Sequence, residues 1–144
     1  MSLKVLENQG FIKQLLPIDP KNVKGQLDLA DQKLKSSKRY FDEDPEDAYK
    51  KSYAGALAAG RALMAALGWR PAGEFKHLSV EKFLELYLDP KLIRKFHGMR
   101  NKRNISEYEQ AGNISIIEAE NAISDSKVII SEIKTKIEKL GFQV

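Results

Sequence analysis

Cysteine is absent from the 144 residues, and histidine occurs only as His77 and His97. The first absence removes disulfides, thiolate metal sites and cysteine nucleophiles together. With two imidazoles left as nitrogen ligands, no metal site of the structural zinc type is expected. Long apolar runs are also missing: each stops after a few residues, far short of the roughly 20 that cross a bilayer. The opening MSLKVLENQG has no apolar signal-peptide core before its first acidic residue. A soluble cytoplasmic protein with no membrane partner is the expectation. A Gly-rich phosphate loop is lacking too, because GALAAGRA falls inside a helical pattern without the lysine and hydroxyl of a P-loop. No serine has a plausible triad in the sequence, and no cofactor is implied.

What is present suffices for one ordinary domain spanning 1–144, long enough to bury a core unaided. The formal net charge of +4 is mild, so its distribution matters more than its total. From Lys91 to Arg103, KLIRKFHGMRNKR has six basic residues and no acidic one, whereas acidic residues gather in FDEDPEDAY and in the last helical stretch. Such a block beside neutral hydrogen-bonding side chains suits phosphate contact, with Arg94, Lys95, Arg100, Lys102 and Arg103 as the candidate nucleic-acid-binding residues. The competing interpretation is a solvated helix face.

The pattern is helical throughout. SLKVLENQGFIKQL predicts a short helix from Ser2, interrupted at Gly10 and ended by Pro17 and Pro20. Asp19 and Pro20 open a longer helix, with Val23, Leu27, Ala30, Leu34 and Phe41 as its apolar stripe. After the acidic loop DEDPED comes a Tyr- and Ala-rich helix that carries Tyr49, Tyr53, Ala56, Gly60, Leu63, Met64 and Leu67 along one side and ends near Gly68. Its small residues favour close helix approach. Arg61 among the alanines must point outward or find a carboxylate. WRPAGEF is expected to be a loop, SVEKFLELYL a helix capped by Ser79, and Asp89 with Pro90 the start of the next. QAGN ends that helix. Ser115 and Glu118 form a capping box for the last one, whose heptad of Ile116, Ile123, Ile130 and Ile137 is expected to pack into its own bundle more than to dimerise. No strand is predicted. The fold class is all-α: an antiparallel up-and-down bundle of four main helices with one or two short additional helices.

Within MRNKRNISEYEQ, residues 99 to 110, Arg100, Arg103, Asn104, Glu107 and Tyr108 recur at three- and four-residue steps, which stacks them on one helical side. The helix order, the Tyr- and Ala-rich helix followed by GEFKH, and this stretch together resemble the HEPN superfamily (higher eukaryotes and prokaryotes nucleotide-binding domains). The likeness is greatest to small prokaryotic members with Arg-x-x-Arg-Asn followed by a tyrosine. The resemblance implies a partner that is RNA or a nucleotide. In catalytic members it implies metal-independent ribonuclease activity from an arginine, a polar neighbour and a histidine four to six residues on, assembled across a homodimer. Arg103 with Asn104 matches the first part, while the position expected to hold histidine holds Tyr108.

That departure has a chemical meaning. Attack by a ribose 2′-hydroxyl needs a proton acceptor near neutral pH, which histidine supplies and tyrosine, near 10, does not. Arginine still clamps phosphate oxygens. Arg103, Asn104, Glu107 and Tyr108 are therefore the candidate catalytic residues, with an ordinary Glu107–Arg103 helix salt bridge and a packed Tyr108 as the alternatives. His97, one turn before Arg100, is a further candidate for a remodelled site, although a surface or half-buried role is more ordinary; His77, in a loop before a helix, is a weaker one. Three functions follow: a divergent domain that binds RNA or a nucleotide within a toxin–antitoxin or defence system, a ribonuclease with a substituted base, or a module that docks a nucleotidyltransferase, an antitoxin or another protein.

Overall fold

The computed structural model describes residues 1–108 and 113–144, with the side chains of 106–108 outside that description. The chain forms α1 (Leu3–Asn8), β1 (Ile12–Gln14), α2 (Pro20–Arg39), α3 (Pro45–Ala66), β2 (Trp69–Pro71), α4 (Lys76–Leu84), α5 (Pro90–Tyr108) and α6 (Ile116–Lys139). Among the described residues, four long helices and two short ones make the expected all-α bundle. None of the helices among the described residues is long and apolar enough to cross a membrane.

Helix starts follow the sequence closely. Side chains of Ser2, Asp19 and Asp44 accept hydrogen bonds from the first-turn amides of α1, α2 and α3, and Asp89 accepts from Lys91 N at 2.7 Å to open α5. Pro20 and Pro45 occupy first-turn positions where an amide hydrogen has no helical partner anyway. The capping box of Ser115 and Glu118 is formed in both directions. In α6 the heptad enters the core toward its C-terminal half: Ile130 and Ile137 are buried, Ile123 is half-buried and Ile116 is exposed, with Ser126 and Ile133 between them also buried.

Other expectations need correction. α2 ends at Arg39, leaving Phe41 outside its stripe. Trp69 and Arg70 belong to a strand, not a loop: β2 pairs antiparallel with β1 in the register Ile12↔Pro71, Lys13↔Arg70 and Gln14↔Trp69. Three-residue strands are too short to show alternation, and this pair forms where the chain leaves α3 through Gly68, whose φ of 86° suits a residue without Cβ. The ladder continues outward through Leu15 N to Gly68 O at 2.8 Å and Ala72 N to Phe11 O at 2.9 Å. Ser79 is not the cap of α4. The helix begins three residues earlier at Lys76, and the buried Ser79 hydroxyl lies 2.9 Å from Ala72 O and 3.1 Å from Phe75 O, tying the preceding turn to the helix. His77 is consequently a first-turn residue of α4.

At the centre lies α3, which contacts α2, α4, α5 and α6. Its apolar residues do not form a single side; alanines and glycines around most of the helix are buried. A Cβ added at Gly60 would lie 2.6 Å from Val80 Cγ1 and 3.1 Å from Leu84 Cδ1, so α4 packs directly on this backbone. Val80 is fully buried and stiff at χ1, which leaves it little room to yield. Gly60→Ala is therefore expected to destabilise by about 2 kcal/mol through overpacking, despite alanine's better helix propensity. Gly25, exposed in α2 with nothing near its missing Cβ, is the contrast: Gly25→Ala should stabilise by about 0.5–1 kcal/mol. Chemical denaturation of the two variants reads the opposite signs.

Candidate nucleic-acid interface

A cleft of about 640 Å³ opens between the start of α4 and the second half of α5. Arg100, Asn101, Arg103, Asn104 and Ile105 form the α5 wall, and Glu74, Phe75, Lys76, His77 and Leu78 the other. The α4 wall is set by the turn that Ser79 secures and by Gly73, where a Cβ would meet Gly10 O at 3.0 Å. Thus the small sheet and the glycines beside it place Phe75 and His77 opposite α5. Phe75 is 65% exposed at the cleft, an unusual position for a large apolar ring.

Behind the cleft is an ionic network built on a buried carboxylate. Glu81 of α4, 3% exposed, accepts from Arg100 Nε at 3.0 Å and faces His97 Nδ1 at 3.0 and 3.2 Å. A carboxylate can only accept, so the His97 proton sits on Nδ1, and Nε2 takes the Asn101 amide at 3.0 Å. The 3.4 Å approach of Arg100 Nη2 to Nδ1 is then a meeting of two donors turned to one carboxylate. Both His97 nitrogens are engaged, which leaves neither facing a ligand. Arg100 is held at the cleft wall with its charge answered.

Arg103 is placed differently. Its one hydrogen bond among the described residues is a 3.4 Å contact from Nη1 to Asn104 Oδ1, and no carboxylate there pairs with it. Beside it, His77 Nδ1 lies 3.2 Å from the hydroxyl of Tyr53, a fully buried α3 residue whose ring also packs on Phe96 and on the imidazole. Burial and then the nearby Arg103, Arg61 and Arg100 hold the His77 imidazole below its ordinary pKa. Burial pushes the Tyr53 phenol up, opposed by Arg100 and Arg103, so its hydroxyl stays protonated. Half-buried Arg61 acts on both groups through its charge alone; it has no ion pair among the described residues.

The basic block divides between two surfaces. Arg100, Arg103 and Asn104 come together on the α4–α5 cleft, whereas Lys95 pairs with Asp125 at 2.9 Å and Lys102 with Glu118 at 3.2 Å on the α6 side. Those pairs line a separate cavity of about 290 Å³ that Arg94 also reaches. There a Ser115 amide and then Lys102 hold the Glu118 carboxyl below its usual range, and burial with the Glu118 and Asp125 charges pushes Tyr49 up to about 12. The side chains of Glu107 and Tyr108, and the predicted helix end at QAGN as far as Gly112, lie outside the described residues. Among the described residues no cluster of histidine and carboxylate groups has the arrangement of a metal site.

Sequence reasoning passed over Glu81, Tyr53 and Phe75 as site residues and ranked His77 below His97. One signal was available for Glu81: an arginine on the inner side of α5 needs a carboxylate. Nothing local points to Tyr53 as the partner of His77, because the two are 24 residues apart on different helices. Neither a family model nor a curated protein sequence matches this chain.

Two outcomes follow from this geometry. Glu81→Ala strands the Arg100 charge, whose side chain is only 15% exposed, and should cost about 3 kcal/mol in a denaturant titration, the low end for a broken buried pair because some solvent reaches Arg100. His77 has a folded pKa below its unfolded value near 6.5, so the unfolded chain binds the proton more readily. Its contribution is complete above the unfolded pKa and is lost as pH falls through the folded one. Between about pH 7.5 and about pH 5, the stability of His77→Gln should fall less steeply than that of the parent.

Proposed function

We propose that this chain is a divergent HEPN-like domain that binds RNA or a nucleotide in the α4–α5 cleft, without the standard ribonuclease chemistry of that superfamily. One observation carries this reading: Arg100 and Arg103 line the cleft with a half-buried imidazole, and of these two only Arg100 has a carboxylate partner among the described residues. Neighbouring cations repel one another, and a bound phosphate relieves the repulsion. Arg103, with no carboxylate partner among the described residues, meets it with a planar pair of donors. Glu74 at the cleft adds one negative charge, which does not offset the excess.

The remaining lining suits the rest of a nucleotide. Exposed Phe75 offers a face on which a base stacks, a contact worth about 1–3 kcal/mol per base in single-strand binders. Asn104 supplies an amide for a sugar or base edge. Standard cleavage is disfavoured because the motif position is Tyr108 and both nitrogens of His97 are occupied by Glu81 and Asn101. The cleft volume of about 640 Å³ is in the ordinary range for a small-ligand site.

Binding is tested by titrating a labelled single-stranded RNA at several salt concentrations. Arg103→Ala should weaken it about tenfold and reduce the salt slope by about one, in keeping with one lost phosphate contact. Lys95→Ala should do less, since Asp125 already answers its charge. Affinity indifferent to salt and to Arg103→Ala would overturn the proposal and favour the protein-docking alternative.

A further inference from the structure

A second cleft, of about 280 Å³, adjoins the first and shares two of its side chains, His77 and Arg103. Its other wall comes from α2 and α3, through Lys33, Asp47, Lys50 and Lys51. Lys51 is paired with Asp47 at 2.9 Å and Lys50 with Glu46 at 3.3 Å, each one turn apart on α3. Lys33 has no such partner among the described residues and is half-buried at this surface. Among the described residues, positive charge without a carboxylate partner therefore extends from Arg103 into the second cleft as far as Lys33.

We infer that the two clefts form one continuous track for a single strand of RNA, with His77 and Arg103 at the junction and Lys33 receiving a phosphate in the second cleft. The inference rests on the binding proposed above and narrows its ligand from any nucleotide to an oligonucleotide. A mononucleotide carries its phosphates at one end of one base and sugar, so it fills one cleft and leaves Lys33 unused. A strand repeats the phosphate along its length and meets cationic groups on both sides of the junction. The lining differs between the clefts in the same sense: Phe75, Leu78 and Ile105 give the first an apolar wall for a base, whereas the second sets Lys33, Lys50 and Lys51 beside Tyr53, Ala54 and Leu57.

The occupant is a single strand rather than a duplex. A duplex stacks its bases on one another and has none to offer Phe75, while an unpaired strand splays them onto exposed aromatic rings. At the junction Tyr53 engages Nδ1 of His77, so Nε2 is the imidazole's remaining hydrogen-bonding atom. An imidazole kept neutral among arginines adds no competing charge there and can bond a ribose hydroxyl or a phosphate oxygen.

The test compares a mononucleotide, a dinucleotide and a hexanucleotide of RNA by calorimetry on the full chain. The hexanucleotide should bind at least about tenfold more tightly than the dinucleotide, and Lys33→Ala should remove most of that gain by weakening the hexanucleotide about fivefold. Lys35→Ala, an equal change of charge at an exposed α2 position outside both clefts, should leave the hexanucleotide affinity as it was. A hexanucleotide that binds no better than the dinucleotide, or that is insensitive to Lys33→Ala, overturns the track and confines the ligand to the first cleft. Equal losses in Lys33→Ala and Lys35→Ala also overturn it, since they report net charge alone. If no ligand of any length binds, or Arg103→Ala leaves binding of all three unaltered, the underlying proposal fails as well.

Discussion

Helix α3 can be surrounded by α2, α4, α5 and α6 because its side chains are mostly small, and the close approach this permits governs everything packed on it. At Gly55 a Cβ would lie 3.1 Å from Ala30 O, and at Gly60 it would strike Val80. Polar groups at this depth must be satisfied within the bundle. Ser52 donates to Ala48 O one turn back, and Ser126 of α6 donates to Ser52 O at 2.7 Å, locking α6 to α3. Tyr53 is the exception in size. Its ring fills the core against Phe96, and its hydroxyl reaches His77 at the edge. A packing constraint in the middle of the bundle thereby fixes the orientation of an imidazole at its surface.

Glu81 does for α5 what Tyr53 does for α4. A carboxylate 3% exposed is costly to desolvate, and the cost is offset by Arg100 and the His97 N–H on the neighbouring helix. The pairing aligns α4 with α5, sets Arg100 as one wall of the cleft and occupies His97. What this leaves is an asymmetry: Arg100 is neutralised from behind, while Arg103, three residues on, has no carboxylate among the described residues. Among the described residues, the two arginines at the cleft are thus separated by their partners and not by their chemistry.

The same rule divides the basic block. Lys95 and Lys102 turn toward Asp125 and Glu118 of α6, so they brace the α5–α6 contact, and Arg100, Arg103 and Asn104 turn toward α4. Spacing along α5 predicted that the latter three share a side, and they do. It could not separate answered charges from unanswered ones, because the answering residues lie 16 to 30 positions away in sequence.

By itself the sequence determined the four long helices and where they start: aspartate–proline starts, the capping box, the glycine after α3 at Gly68 and the amphipathic stripes act through neighbours a turn apart, so local order is enough to reveal them. It also set the chemical repertoire, with two histidines, no cysteine and a run of arginine and asparagine on α5. The tertiary structure decided what local order cannot carry. It paired two three-residue strands too short for any pattern, moved His77 from a loop into the first turn of α4 beside Tyr53, and chose His97 rather than His77 to be consumed by Glu81. Each of these depends on which helix packs against which, and hence on distances between residues that the chain itself keeps far apart.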